Sequence, residues 1–507
     1  MKLSEALSLK PQLSLPAGQF IPLVGALCVL YLGAVLLFLE GYWLGIAAAA
    51  GLAGVVALLL LRPAVCLLLV FAYLPFQALL TDIFARFSSL VAIGKDVLMA
   101  LMVVSLVGHH LLRKRAWYIN TTMYWLFGFI LMASLAAATS PEPLHGFLGL
   151  RFLGLYPAII VLAANALESE ADIRRMLRLL AVVGAITVVY GILQYLTQFD
   201  VPYRISGGDV KLRMGRFDEM AIVSTFASRP MFGGWLVPLF LLFLHVNLQE
   251  SGRVWRRLRL LFLGAILGCA LLTYSRSTWL AFLVSTLVTV WLKDKMKAAF
   301  AVVMLLLALA LFVATKSFLL PASVSDAATD SESFEERLSY WPMVFRHVVE
   351  HPLGLGLGMV GGPHLFEDAA QTDAYGNLQY DQFAMFDPQG GLGPDNKLMV
   401  TDNTFLKLMV QGGIPLLIPF LGMLISVIRM LSSMYRQARD PWVRSLLLWG
   451  AGSLAGMFSI FMFVDFLETG PAIALYWLMI GILCCLRKLS QEGRAEARQP
   501  GSQPLTV

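Results

Sequence analysis

The chain reads as an all-α, polytopic helical membrane protein with about 14 transmembrane helices, and three observations predict that class. Of 507 residues, 58% are apolar and 14% charged, with a mean hydropathy of +0.75, where a soluble domain is nearer half apolar and a quarter charged. The apolar runs are continuous rather than short and alternating, which argues against a β-barrel, the other structure that satisfies its backbone in lipid. The basic residues gather on alternate connections, as the positive-inside rule requires.

Windows of about 17–25 apolar residues place spans near 20–39, 43–61, 64–81, 91–112, 117–138, 151–167, 174–198, 231–248, 258–274, 277–292, 297–320, 404–430, 443–464 and 470–486. Lys2 and Lys10 precede the first, whose apolar run exceeds a signal-peptide core of about 7–15 residues, so it reads as a retained span. With the N-terminus cytoplasmic, 24 of the 38 basic residues fall inside, among them Arg113-Lys114-Arg115, Arg253 to Arg259 and Lys293 to Lys297. The organisation is then helices 1–11 over 1–320 with an outer basic loop at 199–230, a lid loop at 321–403 and helices 12–14 over 404–487. Residues 488–507 read as a disordered cytoplasmic tail. Cys28, Cys66, Cys269, Cys484 and Cys485 lie in or beside apolar segments and read as small core residues, with no disulfide framework or metal spacing.

Residues 334–411 are the longest polar-rich interval in the apolar part of the chain. Ser333 with Glu336 makes a capping box, and Leu338, Trp341, Val344, Phe345 and Val348 follow at helical spacing. An amphipathic helix over the outer face is therefore expected. The segment 356–361 fits a dinucleotide fingerprint by its letters, but no strand–helix unit surrounds it, so it reads as a turn. The histidines at 347, 351 and 364 lack zinc spacing and the aspartates at 381, 387, 395 and 402 lack calcium-loop spacing, so no metal site is expected.

The cations on the outer side are the informative ones. Arg204, Lys211, Arg213, Arg216 and Arg229 crowd one loop, Arg151 and Lys95 open two spans, and Arg276 sits in Thr273-Tyr274-Ser275-Arg276-Ser277 between two apolar runs. Lys95, Lys316 and Lys407 read as side chains that snorkel to headgroups. Arg276 has no such escape, and its planar, permanently charged fork suits a phosphate. Asp465 and Glu468 read as caps of a turn.

Several strings stand in an order that resembles the O-antigen ligase and polymerase superfamily: Arg216-Phe217 through Ser224-Thr225-Phe226-Ala227-Ser228-Arg229-Pro230; Thr273 through Ala281; Arg337 through Trp341; His351-Pro352-Leu353-Gly354-Leu355-Gly356; and Asp402-Asn403-Thr404-Phe405-Leu406 with Gly412-Gly413-Ile414-Pro415. The resemblance covers roughly residues 90–430. It implies a bacterial inner-membrane glycosyltransferase, active on the outer face, whose donor is an undecaprenyl-diphosphate-linked glycan and whose acceptor is a second glycan. It also implies that Arg216 and Arg276 hold the diphosphate. The ligase pattern has His-Asn where this chain has Asp402-Asn403, and an aspartate can serve as the base. Arg229, Arg213, Arg337, Arg346, Asn403, Tyr274 and Arg151 are the further substrate-binding candidates; no cofactor, metal or nucleic acid is expected. The lipid bilayer is an obligatory partner, and a chain-length regulator or other polysaccharide-assembly proteins are further ones. A polymerase is the first reading, a ligase moving a finished glycan the second, and a flippase for a lipid-linked oligosaccharide the rival from another class. A flippase should string ionisable residues through several helices, whereas here they concentrate at outer ends and loops.

Overall fold

The computed structural model describes residues 62–84, 88–114, 116–197, 221–226, 228–246, 253–294, 296, 341–342, 344–346, 348–359, 371–372, 378–379, 403–467 and 470–496. Its helices are α1 (Pro63–Tyr73), α2 (Gln77–Ile83), α3 (Ser88–Arg113), α4 (Thr121–Ala138), α5 (Pro143–Ala166), α6 (Glu170–Thr197), α7 (Arg229–His245), α8 (Arg253–Leu272), α9 (Arg276–Lys293), α10 (Thr404–Gln437), α11 (Pro441–Phe461) and α12 (Pro471–Glu496). A two-residue ladder, Gln371–Thr372 against Leu378–Gln379, is the strand pairing among them.

Among the described residues eight helices are long and apolar enough to cross a membrane. Of the other six expected spans, those at 20–39, 43–61 and 297–320 lie outside the described residues. The remaining three fall on α7, which has 17 residues, on α8, which opens with four arginines, and on α9. Two boundaries move. α5 starts at Pro143, a residue suited to a first helical turn, so Arg151 stands two turns inside the helix instead of opening it. α12 runs on to Glu496, because the polar stretch after Leu486 is still rich in helix formers; the tail expected as disordered from 488 begins as helix.

The bundle is apolar on its outside as well as in its core. On α6, Val182, Ile186, Val189, Leu193 and Leu196 are exposed at helical spacing, a stripe that water would not tolerate and lipid requires. The core is centred on α12, buried continuously from Ala472 to Leu486 and packed on α5, α7 and α11. The described cysteines are free and buried.

Prolines inside these helices leave carbonyls that must be met within the protein. Pro238 in α7 removes the N–H that Gly234 would receive, and the Tyr476 hydroxyl donates to the Gly234 carbonyl instead, at 2.9 Å. The Trp449 indole N–H donates to the Pro238 carbonyl at 2.8 Å. Two long-range bonds thus tie α7 to α12 and α11.

α10 is not a straight rod. Phe405 and Phe420 are fifteen residues apart, roughly 22 Å along an ideal helix, yet their rings are 6.1 Å apart and both touch Phe461. The helix doubles back at Gly413, whose φ of 66° is open to glycine. A Cβ there would meet the Pro352 carbonyl oxygen at 2.2 Å. The second arm, 414–437, still exceeds membrane-spanning length.

Residues 351–359 fill the break. The N–H groups of Leu355 and Gly356 donate to the Val410 and Gln411 carbonyls at 2.8 and 2.9 Å, and Ile414 N–H donates to Pro352 O at 3.1 Å. Leu357 N–H reaches Ala136 O at 3.2 Å, and Ser140 Oγ donates to Leu357 O at 2.8 Å. Gly354, together with Gly356 and Gly358 of the fingerprint-like string, serves this insertion: all three have positive φ and press on backbone, while Gly361 lies outside the described residues. The expected turn is present at 357–359. Just upstream, the helical residues within 341–350 lay Val344 and Val348 on Leu406 and Val410, with Phe345, Val349 and Glu350 exposed. Of the expected stripe, Val344, Val348 and Trp341 lie on this patch, Phe345 is exposed on the other side, and Leu338 lies outside the described residues.

Candidate functional site

α7 and α9 lie side by side in the same sense. At one end a Cβ on Gly233 would fall 1.9 Å from Thr278 Oγ1; at the other, Lys293 Nζ is 3.1 Å from His245 Nδ1. Arg229 and Arg276, the first residues of the two helices, therefore stand at the same end, each within about a turn of the contact. Both arginines are half-buried, and Arg229 has no carboxylate partner among the described residues.

The backbone presenting Arg276 is constrained from several sides. Tyr274 is buried against Ala221 with φ at 51°, a left-handed conformation unusual for a bulky residue. The Ala270 carbonyl accepts from Thr273 Oγ1 at 2.7 Å and from the Trp279 indole at 2.9 Å, and Ser275 Oγ lies 3.0 Å from Ser277 Oγ. Tyr274 thus belongs to the turn that leads into Arg276.

Arg229 is approached through 221–226, a fully buried segment without regular structure. Irregular backbone at this depth needs partners. Gln194, from inside α6, accepts from Val223 and Ser224 N–H at 3.2 and 2.9 Å. Ser224 Oγ donates to Thr187 O at 2.6 Å, Thr225 Oγ1 to Pro75 O at 2.7 Å, and Ile222 N–H to Leu272 O at 3.0 Å. The last bond ties this segment to the turn that holds Arg276.

A third helix start joins them. Asn403 caps α10 by accepting from Phe405 and Leu406 N–H at 2.9 and 3.1 Å, and its amide donates to Met462 O at 3.1 Å. Thr404 Oγ1 donates to Val464 O at 2.9 Å and accepts from Phe466 N–H at 3.1 Å. Phe466 in turn fills the space a Cβ on Gly234 would take, its ring 2.3 Å from that point. The starts of α7, α9 and α10 thus meet around the end of α11, and three positive helix termini with basic side chains make an anion-favouring locus.

Of the other expected site residues, those described are Arg151, Arg346 and Asn403, each with its own partners. Arg151 is ion-paired to Asp96. Arg346 is exposed and pairs with Glu350 one turn on at 3.2 Å, the arrangement of a solvated helix face. The Asn403 side chain is hydrogen-bonded to backbone through both its oxygen and its amide nitrogen. Asp402, Arg216, Arg213 and Arg337 lie outside the described residues.

Two lysines overturn the snorkelling expectation. Lys95 is buried, its Nζ 5.1 Å from the Phe152 ring centroid and 5.8 Å from that of Tyr156. Lys407 is buried against Asp465, an acid expected only to cap a turn. Both point into the bundle because helix packing, which hydropathy windows ignore, places aromatic or acidic partners there. Lys316 and Glu468 lie outside the described residues. Gln194 escaped the sequence reading altogether; the signal was present as a lone amide in an apolar helix.

A polytopic helical membrane protein with its irregular buried backbone and arginine-bearing helix starts gathered at one level is the class defined so far. Residues 260–421 match the family described as O-antigen ligase, a stretch from within α8 through α9 and the 341–359 segment to the second arm of α10. The likeness to that family covers this stretch, about a third of the chain. No curated protein matches the chain.

Proposed function

We propose that the protein is a polysaccharide polymerase of the bacterial inner membrane, transferring polyprenyl-diphosphate-linked oligosaccharide units to a growing glycan on the outer face. The observation that carries this reading is the shared level of Arg229, Arg276 and the α10 cap, reached through Gly233–Thr278 and Phe466–Gly234. In the proposed reaction an acceptor hydroxyl attacks the anomeric carbon opposite the diphosphate, the new glycosidic bond forms as the anomeric carbon–oxygen bond to the diphosphate breaks, and configuration inverts. The bonding electrons leave on the diphosphate, whose charge Arg276 and Arg216 stabilise with Arg229 beside them. Asp402, one residue before the Asn403 cap, takes the hydroxyl proton. The arginines supply the charge stabilisation that a divalent ion would otherwise give, so the reaction is metal-independent. Arg229, Arg276 and Lys407 lie in the first turns of three helices, an arrangement that favours an enzyme over a flippase with a through-membrane path.

Purified protein in lipid, given a synthetic polyprenyl-diphosphate repeat unit with and without chelator, tests the reading. A ladder of products insensitive to chelator is expected from a polymerase. A single block added to a distinct acceptor would make the protein a ligase, and no transfer to any glycan would remove the enzyme reading.

A further inference from the structure

At the opposite end of the bundle, about 25 Å along α9 from Arg276, a second cationic feature takes no part in the proposed reaction. A cavity of about 400 Å³ opens between the ends of α7 and α9 and the start of α11, lined by His245, Lys293, Pro441, Arg444, Ser445 and Leu448. Lys293 meets a histidine there rather than a carboxylate, at 3.1 Å. Arg444 stacks over Tyr435, 4.9 Å from its ring, and the Tyr435 hydroxyl donates to Leu292 O at 3.0 Å, so the guanidinium is held at the rim. Behind His245, Arg259 donates to the Phe243 and Leu244 carbonyls, adding a third cation. Of the described acids next to the cavity-lining residues, Asp440 accepts from Trp442 N–H at 2.8 Å and Asp294 accepts from Met296 N–H at 3.0 Å.

We propose that this cavity binds the phosphate diester headgroup of an anionic phospholipid. Topology alone asks for basic residues near the ends of membrane helices, but not for their convergence on a cavity between three helices. Basic pockets of that form suit acidic lipid headgroups. The lipid source is favoured by the surroundings: Trp291, two residues before Lys293, is exposed near the helix end, where an indole sits at the headgroup level, and Leu260 and Leu261 are exposed beside Arg259.

The test is thermal unfolding of the full-length protein in non-ionic detergent with phosphatidylglycerol, phosphatidylcholine or inorganic phosphate. Phosphatidylglycerol should raise the melting temperature by about 5 °C, and the other two should not. Lys293→Gln with Arg444→Gln should abolish the shift and Lys293→Arg with Arg444→Lys should keep it. Arg436→Gln with Arg439→Gln, which removes two exposed charges outside the cavity, should also keep it. An equal shift with phosphatidylcholine, an equal shift with inorganic phosphate, or a full shift in the Lys293→Gln, Arg444→Gln protein overturns the proposal. If the glutamine variant does not fold, the comparison of the three additives on the unaltered protein still decides.

Discussion

Lys407 Nζ lies 2.5 Å from Asp465 Oδ2, and the lysine side chain is 3% exposed. The pair joins the first turn of α10 to the segment after α11, beside the hydrogen bonds from Asn403 and Thr404 to the same segment. Removing one member of such a buried pair leaves the other charge without its counter-ion, at a cost of about 3–5 kcal/mol, whereas removing both costs much less. Lys407→Met and Asp465→Leu should each lower the unfolding midpoint in detergent more than the double variant does. Additive losses would mean that the two side chains do not support each other.

The bend of α10 rests on Gly413. Gly413→Ala places a methyl group 2.2 Å from the Pro352 carbonyl oxygen and keeps a left-handed residue without glycine, a strain of about 1–3 kcal/mol before the clash is counted. Hydrogen exchange at Leu355 and Gly356, whose N–H groups fill the break, should rise in this variant. Unchanged protection there would show that the bend survives without glycine.

Gln194 carries two backbone N–H groups on one oxygen. Gln194→Leu leaves both unpaired in a buried segment, about 1–3 kcal/mol for each, and should loosen 221–226 more than the rest of the bundle. Peptide-level hydrogen exchange measures this directly; a uniform change across all helices would contradict a local role.

Val348 anchors the helical segment within 341–350 to Leu406 and Val410. Val348→Asp should free that segment, seen as faster exchange and proteolysis there, with the midpoint of the bundle little changed because the patch is separate from the main core. An equal loss in the core would show that the segment is integral to it.

Much of the helical fold was legible in apolar window length, because lipid leaves a spanning segment few alternatives. The amphipathic segment at 341–350 was legible for a related reason: Val344 and Val348 repeat at helical spacing. Partnership was not legible. Lys95, Lys407 and Arg151 look alike in sequence, cations near span ends, yet one faces aromatic rings and two face acids more than fifty residues away. The doubling back of α10 was hidden too, since Gly412-Gly413-Ile414-Pro415 sits inside a run of adequate hydropathy and its repair comes from residues 352–356. In the candidate site, Arg276 and Tyr274 were found from their position between two apolar runs, whereas the meeting of three helix starts depends on packing at Gly233 and Gly234 that no local pattern encodes.

Initial rates of glycan transfer by the unaltered and Arg276→Ala proteins, in lipid with a polyprenyl-diphosphate repeat unit, test the account most directly. Loss of one preorganised charge donor to the departing diphosphate predicts a fall of about 10²–10³-fold, with the same unfolding midpoint and partial recovery in Arg276→Lys. An Arg276→Ala protein that transfers at the full rate would contradict it.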